Sequence, residues 1–584
     1  MPTITLTHSV LKYIQEINLV KHEPGLWDNW LTEIGCPVEA NNDECIDIEV
    51  FPDRPDLLSH ETVAKAARSF LNQKTEKTSI DIKKGKNIVY VDRSLEEVRP
   101  VIMSAIVRGV KTGNNIADKE KFIQSLMDHQ EKLHLTLGRK RKLSSIGVHD
   151  LSKIKPPFRM ETVDSSFEFI PLSEINPMSI GEILKKHPKG IEYAHLVKGA
   201  DSYPIILDSE DNVVSFPPII NGEQTTVTTE TEDFFIDVTG WDNRACEACL
   251  LLICLALGER GGTVEDLELE FSNKNNIITP NGKPINYRVP EELIQKILGM
   301  KLQNSQIRNS ITKMGGELLE SRTVTDGPNK AERWSDCVIG EVEHIVSMPR
   351  WRSDIMHPID IVEDIAIGFG YENLPEQMSS VHLDSLPLKS AQLNRRIRAS
   401  LRALGLQEIQ SLTLSNSRNQ FERTRWKEKG EVTNIANPIS QEHTILRQYI
   451  LPSLLQILSA NRHQELPQRI YELGHVVSDS KNKYVFSWSC AEVGGGFSEA
   501  KGYVQSIMRD LGITTDKILF EPVKNEVGPW LAGRGARIIV QGIEIGQFGE
   551  IDPIVSEKYG LKTPIHAGEF DIKEINKVAS DPLL

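Results

Sequence analysis

The 584-residue chain lacks an apolar run long enough to cross a bilayer. Its longest, around Leu250–Leu257, falls far short of the ~20 residues a membrane helix needs. The start, MPTITLTHSVLKYI, holds no basic stretch leading into an apolar one, so no secretory leader is predicted and a cytoplasmic protein is expected. Positive charge is also short: 67 Lys and Arg stand against 82 Asp and Glu, a net charge of −15. Repulsion then opposes general affinity for polyanions and confines any RNA contact to a local surface. Cysteine is scarce, seven in all, and three of them, Cys246, Cys249 and Cys254, fall in CEACLLLIC. No second pair and no suitably spaced His follows, so a buried helix with thiols acting as small hydrophobes is expected over a zinc site. A GxxxxGK[ST] loop, a strand-coupled GxGxxG and a GxSxG elbow are all missing, which excludes the common nucleotide cradles and the hydrolase nucleophile elbow. LGERGG, ending at Gly262, follows a helix and reads as its cap. There is no internal repeat and no low-complexity segment.

What remains is a large globular chain, 39% hydrophobic and 26% charged. At about 150 residues per domain it needs three or four cores. FPDRPDLLSHE leads into a helix near His60; Arg54 and Asp56 could pair there, but a surface loop is expected. Phe122, Leu126, Leu133 and Leu137 keep helical spacing. The Arg139–Lys142 run behind that helix suits its C-terminal dipole as a solvated face, with RNA phosphates the other reading. In VVSFPPIINGE, Pro217 and Pro218 stiffen the chain and Asn221-Gly222 signals a tight turn. From Phe234 to Thr239 the residues alternate: Phe234, Ile236 and Val238 toward a core, Phe235, Asp237 and Thr239 the other way. That second face fits a small polar pocket, but an ordinary half-exposed strand is the leading expectation. Further on, Leu393, Ile397, Leu401 and Leu404 mark a helix after a polar connector near Met378–Leu388. Leu451, Leu454, Leu455 and Leu458 mark another around Pro452. Arg469–Val477 reads as a strand.

The densest signal is RWRSDIMHPIDIVEDIAIGFGYENLP, Arg350 to Pro375. Pro358 pre-sets a helix start and Gly368 and Gly370 its stop. Asp360, Glu363 and Asp364 share one face at i, i+3 and i+4, with Ile361, Val362 and Ile365 as the buried stripe. Acids in a first turn complement the dipole by ~0.3–1 kcal/mol each, whereas like charges one turn apart repel by a few tenths. Asp354 could fold back to add a fourth oxygen. An oxygen-only set selects magnesium or calcium; metal or partner binding and a solvated acidic face stand level on spacing alone.

This stretch resembles the signature of the β subunit of phenylalanyl-tRNA synthetase. FPDRPDLLSHE, QEKLHLTLGRKRKLSSIGVHDL, SFPPIINGE with FIDVTG, and NPISQEHTILRQYILPSLLQILSANR with RIYELGHVV agree in order over most of the chain, and the length is similar to the archaeal and eukaryotic type. The resemblance implies a multidomain α+β fold. Residues 1–95 form an N-terminal module, 96–275 an α/β editing-type domain, and 276–377 a winged-helix-like magnesium-binding module. Residues 378–584 form a class II synthetase-like module, an antiparallel sheet with helices that lacks the ATP motifs; GRGARI from Gly533 does not supply the third of them. It further implies an (αβ)2 heterotetramer with an α subunit that uses ATP to join phenylalanine to tRNA(Phe), and Mg2+ on Asp354, Asp360, Glu363 and Asp364 near the α–β contact. A pocket shaped for phenylalanine rejects tyrosine by only ~10², so the family carries an editing site for Tyr-tRNA(Phe). The matching positions are Asp237 and Thr239, with Ser215 and Gly222 as weaker ones. Two other readings compete: a scaffold subunit with editing lost, and a free-standing magnesium-dependent hydrolase. The segment between Glu317 and Pro349 is longer than the family pattern.

Overall fold

The computed structural model describes residues 2–197, 201–272, 275–327, 337–376, 387–523 and 528–580. The chain folds as two compact units, Met1–Met378 and Ser379–Leu584. Several separate sheets with helices packed on them make it a multidomain α+β protein. Most of the polar connector near Met378–Leu388 lies outside the described residues. Among the described residues no helix is long and apolar enough to cross a membrane.

In the first unit, an N-terminal three-stranded antiparallel sheet joins Thr3–Thr7, Cys45–Glu49 and Val38–Asn41. Its core continues without a break into the following segment, so Leu6, Trp27 and Ile46 belong to the same buried cluster as Val107, Phe234 and Leu251. The helix His60–Phe70 is capped by Ser59, whose hydroxyl accepts the Thr62 N–H. The turn before it is no surface loop. Arg54 and Asp56 are buried and form a two-pronged ion pair at 2.9 and 2.9 Å. Burial is possible because each cancels the other's charge and because Arg352 and Asp354, some 300 residues on, add further charge alongside.

A five-stranded sheet supplies the frame for the candidate site. Three adjacent strands carry the site: β1 (Val101–Arg108), β2 (Ser144–Asp150), which forms one edge of the sheet, and β3 (Phe234–Gly240), antiparallel between the other two. The helix α1 (Ile116–Leu135) buries Phe122, Leu126 and Leu133, and α2 (Asn243–Glu259) packs on β1 and β3. The alternation along β3 holds: Phe234, Ile236 and Val238 enter the main core, and Phe235 points to a different one, stacked on Phe158 at 4.1 Å between ring centroids. The strand is not half-exposed, because a seven-stranded sheet covers the second face and all seven residues are buried. On α2 the three cysteines are core residues. Burial pushes the Cys246 and Cys249 thiols up to about 11 and about 12, and Cys254 higher still. The helix ends at Arg260 with Gly261 at φ +80°, a cap as the sequence predicts.

Last in this unit, the strands Ile285–Pro290, Val342–Met348 and Glu317–Thr323 form an antiparallel sheet. Two short helices and α3 (Pro358–Phe369) pack with it. Ile361, Val362 and Ile365 are buried there. Residues 328–336 of the long insertion lie outside the described set.

The second unit is built on a seven-stranded sheet, antiparallel apart from one short edge pair. Gln468–Ser478 is one of its long strands, matching the predicted one. The helix α4 (Leu451–Ala460) buries Leu451, Leu454, Leu455 and Leu458 against one face. Lys389–Ala403 brings Leu393, Ile397 and Leu401 to the other core, with Leu404 packed partly buried beside them.

Candidate functional site

The strand β2 reads SSIGVHD, a polar-every-second pattern hidden in a mixed sequence. Its register with β3 pairs Ser145 with Thr239, Gly147 with Asp237 and His149 with Phe235, so Ser145, Gly147, His149, Asp237 and Thr239 belong to one face. Gly147 is required here. A Cβ at that position would lie 2.0 Å from Asp237 Oδ2 and 2.5 Å from His149 Nε2. Through that gap the His149 Nε2 and Asp237 Oδ2 meet at 2.7 Å, and His149 Nδ1 lies 2.9 Å from Thr225 Oγ1.

A cavity of about 430 Å³ opens over this face, and Asp237, Ser215, Gly147, Ser145 and Arg141 line it. Two of the four editing candidates therefore face the cavity. Thr239 lies beneath: its hydroxyl accepts Arg99 Nε–H at 2.8 Å and its carbonyl accepts Arg99 Nη2–H at 2.8 Å. Ser145 Oγ and the Arg141 carbonyl accept further bonds from Arg99. With neutral acceptors only, burial lowers the Arg99 guanidinium to about 10. Gly222 is the other one set back. Its backbone is extended, φ −73° and ψ 142°, so the tight turn expected at Asn221-Gly222 is absent. The turn falls earlier, where the Ile219 N–H reaches the Phe216 carbonyl at 2.8 Å. Glycine is needed at 222 because a Cβ would stand 2.2 Å from the Val213 carbonyl oxygen as the chains pass.

Within the cationic run one residue, Arg141, departs from expectation. The helix stops at Leu135, and Arg139, Lys140 and Arg141 take left-handed backbone angles. This bend turns Arg141 inward. Its guanidinium donates to Glu131 at 2.6 Å and to the Pro218 and Ile219 carbonyls, and lies 4.3 Å from the Tyr193 ring. Against the opposing pull of burial, hydrogen bonding from His134 and the Arg141 charge hold the Glu131 carboxyl down at about 2. Arg141 thus joins the cavity wall, while Arg139, Lys140 and Lys142 stay exposed as the solvated face the sequence predicts. His149, Gly147, Ser145 and Arg99 were the residues sequence reasoning missed, and Arg141 was one it placed at the surface; for the first three the alternation in SSIGVHD was the available signal.

The acids on α3 behave differently from one another. Asp360 completes a capping box with the N-cap residue His357, its Oδ2 accepting the Met356 and His357 N–H groups at 2.7 and 2.7 Å. Glu363 is exposed. Asp354 and Asp364 share one cation, Arg352, whose Nε and Nη2 donate to Asp354 at 2.6–3.0 Å and whose Nη2 also reaches Asp364 Oδ1 at 3.0 Å. Arg352 is divided between two acids and serves Asp354 first, so burial keeps the Asp364 carboxyl above the usual range, and its Oδ2 is buried without a hydrogen-bond partner. Among the described residues no three acids, His or Cys converge to hold a metal. As placed, the four oxygen donors suit a hard ion in type but not in arrangement.

Three family profiles match in succession. Residues 98–248, which hold the whole cavity, match the B3/4 domain; residues 287–371, which hold α3, match the tRNA synthetase B5 domain; and residues 374–572 match the phenylalanyl tRNA synthetase beta chain CLM domain. The phenylalanine–tRNA ligase beta subunit of Archaeoglobus fulgidus is 38% identical over 93% of this chain and 94% of its own length. The chain belongs to the phenylalanine–tRNA ligase β-subunit family. The family member of Methanococcoides burtonii is 36% identical over 98% of this chain and 100% of its own length. A crystal structure of an N-terminal fragment of the family member from Pyrococcus horikoshii is also similar, at 32% identity and a TM-score of 0.55. It covers 63% of this chain and 99% of that fragment.

Proposed function

We propose that this chain is the β subunit of a phenylalanine–tRNA ligase. With an α subunit it attaches L-phenylalanine to tRNA(Phe) using ATP, and its own cavity hydrolyses mischarged Tyr-tRNA(Phe). Family membership carries the first half. The second half rests on one observation, a single buried carboxylate, Asp237, on the floor of an open cavity otherwise walled by prolines, other apolar side chains and polar groups. A phenol can donate to Asp237, whereas a phenyl ring would leave that buried acceptor unpaired. Sites built to bond a hydroxyl reject the analogue lacking it by about 10⁴–10⁵, the selectivity that clearing Tyr-tRNA without attacking Phe-tRNA requires. In this reading Asp237 and Ser215 touch the aminoacyl group. Thr239 is held by Arg99, and Gly222 shapes the floor through Thr225.

The division into an N-terminal module (1–95), an editing domain (96–275), a winged-helix-like module (276–377) and a class II-like module (378–584) is part of the same proposal, as is a cytoplasmic (αβ)2 assembly with tRNA(Phe). The second unit has the antiparallel sheet but no nucleotide motif, so the synthetic site falls to the α subunit. Magnesium at Asp354, Asp360, Glu363 and Asp364 is retained on donor chemistry alone, because Arg352 holds two of the four. Adding Mg2+ to the chain during thermal unfolding is expected to raise the midpoint; an unmoved midpoint removes the ion from these residues. For the assembly, the chain alone is expected to show no phenylalanine-dependent ATP–pyrophosphate exchange, and an added α subunit to restore it together with Tyr-tRNA(Phe) clearance. Exchange by the chain alone sinks the assignment. Restored exchange without clearance leaves a scaffold subunit.

A further inference from the structure

Proton counting beneath the cavity goes one step beyond the editing reading, on which it rests. We infer that His149 is a positioning residue that holds a shared proton against Asp237, so that Asp237 meets the tyrosyl group as a hydrogen-bond acceptor and not as a general base. The count starts at Thr225, whose Oγ1 lies 2.9 Å from the Gly222 carbonyl and 2.9 Å from His149 Nδ1. A hydroxyl has one hydrogen and a carbonyl can only accept. Both contacts are satisfied when Thr225 donates to Gly222 and His149 Nδ1–H donates to Thr225.

With Nδ1 protonated, the 2.7 Å contact between Nε2 and Asp237 Oδ2 needs a second hydrogen. It sits on the imidazole, facing a carboxylate, or on Oδ2, facing a bare nitrogen; two acceptors at that distance would repel. Either form is a net-neutral pair, which suits residues only 0% and 1% exposed. Among the described residues no other cation touches Asp237. Arg99, the buried one nearby, bonds Thr239, Ser145 and the Arg141 carbonyl. The remaining charged or titratable groups around the site are Arg141 with Glu131 on the α1 side and His187, Lys189 and Glu174 on the facing wall. Oδ1 of Asp237 has no partner among the described residues and is the oxygen left for substrate. Gly147 is the window through which the pair forms, and Thr225 is what sets the ring.

The test uses the complete α–β enzyme. In ¹⁵N-histidine NMR, His149 Nδ1 is expected to carry a proton throughout pH 6–8; a bare Nδ1 overturns the inference. His149→Gln keeps a hydrogen bond to Asp237 but cannot hold the proton. It is expected to lower Tyr-tRNA(Phe) clearance by about tenfold, the worth of the one net hydrogen bond to Thr225 that the amide gives up. After correction for spontaneous ester hydrolysis, it is also expected to add a limb to the pH–rate profile that the wild type lacks. Thr225→Val, which removes the acceptor of Nδ1–H, is expected to shift the profile the same way. Unchanged phenylalanylation reports that both variants fold. Clearance and profile identical to wild type in both variants overturn the proposal. A wild-type enzyme that clears no Tyr-tRNA(Phe) removes the editing reading instead, and the NMR result still decides the proton.

Discussion

Asp237→Ala is expected to reduce clearance of Tyr-tRNA(Phe) by about 10²-fold while phenylalanylation by the assembled enzyme is unchanged. The magnitude follows from what the substitution deletes. A hydrogen bond to a charged group contributes about 1.5–3 kcal/mol, and at about 1.4 kcal/mol per tenfold this is a factor of ten to a hundred or more. The same change strands His149, which is fully buried and would face a hole where its 2.7 Å partner stood, so some loss of stability accompanies it. Asp237→Asn separates the two effects, since the amide fills the space and can still bond His149 and offer an oxygen to the phenol, but carries no charge and shares no proton. Both variants are compared with wild type on pre-charged Tyr-tRNA(Phe) and Phe-tRNA(Phe). If alanine leaves the tyrosyl rate intact, Asp237 is not part of the site.

Arg352→Met is expected to cost about 3–5 kcal/mol of stability, the usual cost of removing one partner from a buried ion pair. The guanidinium is nearly fully buried and, among the described residues, is the one cation in contact with both Asp354 and Asp364. Methionine fills the volume and leaves both carboxylates without their hydrogen-bonded counter-charge, with Arg54 acting only from farther off. The pH dependence has a definite sign. Burial already holds the Asp364 carboxyl above its unfolded value. Its contribution is therefore fully present below the ordinary carboxylate range and is lost as pH rises through the raised folded value. Without Arg352 that value climbs further, so the deficit of the variant widens between pH 5 and pH 8. Urea unfolding of the full chain, followed by circular dichroism at both pH values, measures it. A deficit below about 1 kcal/mol, the range of exposed pairs, or one that does not change with pH, shows that the network contributes little.

Local periodicity made much of the fold legible. The apolar spacing of α2 and α4, the Pro-to-Gly limits of α3 and the two-residue alternation of β3 are properties of a short segment, and each reappears in the structure. Asp237 could be placed on the face opposite Ile236 for that reason. The same reasoning went astray at Arg54, at Arg141 within the Arg139–Lys142 run and at Gly222, where a residue's surroundings come from elsewhere in the chain. Arg54 is buried with Asp56 in a network that extends to Arg352. Arg141 leaves the surface to bond carbonyls at 218 and 219. Gly222 answers to a neighbouring strand instead of to its own turn.

The order and type of the elements, the buried cysteines and the crowding of acids after Trp351 were set by the sequence alone, because periodicity and charge act within a few residues of the backbone. Tertiary structure decided which face of β3 would be covered, which cation would meet Asp364, and that Gly147, ninety positions before Asp237, would open a path from that carboxylate to His149. Such matters depend on strand register and on contacts between distant segments, and burial gives them their weight: an ion pair or a missing Cβ that would hardly count in water becomes decisive once water is excluded.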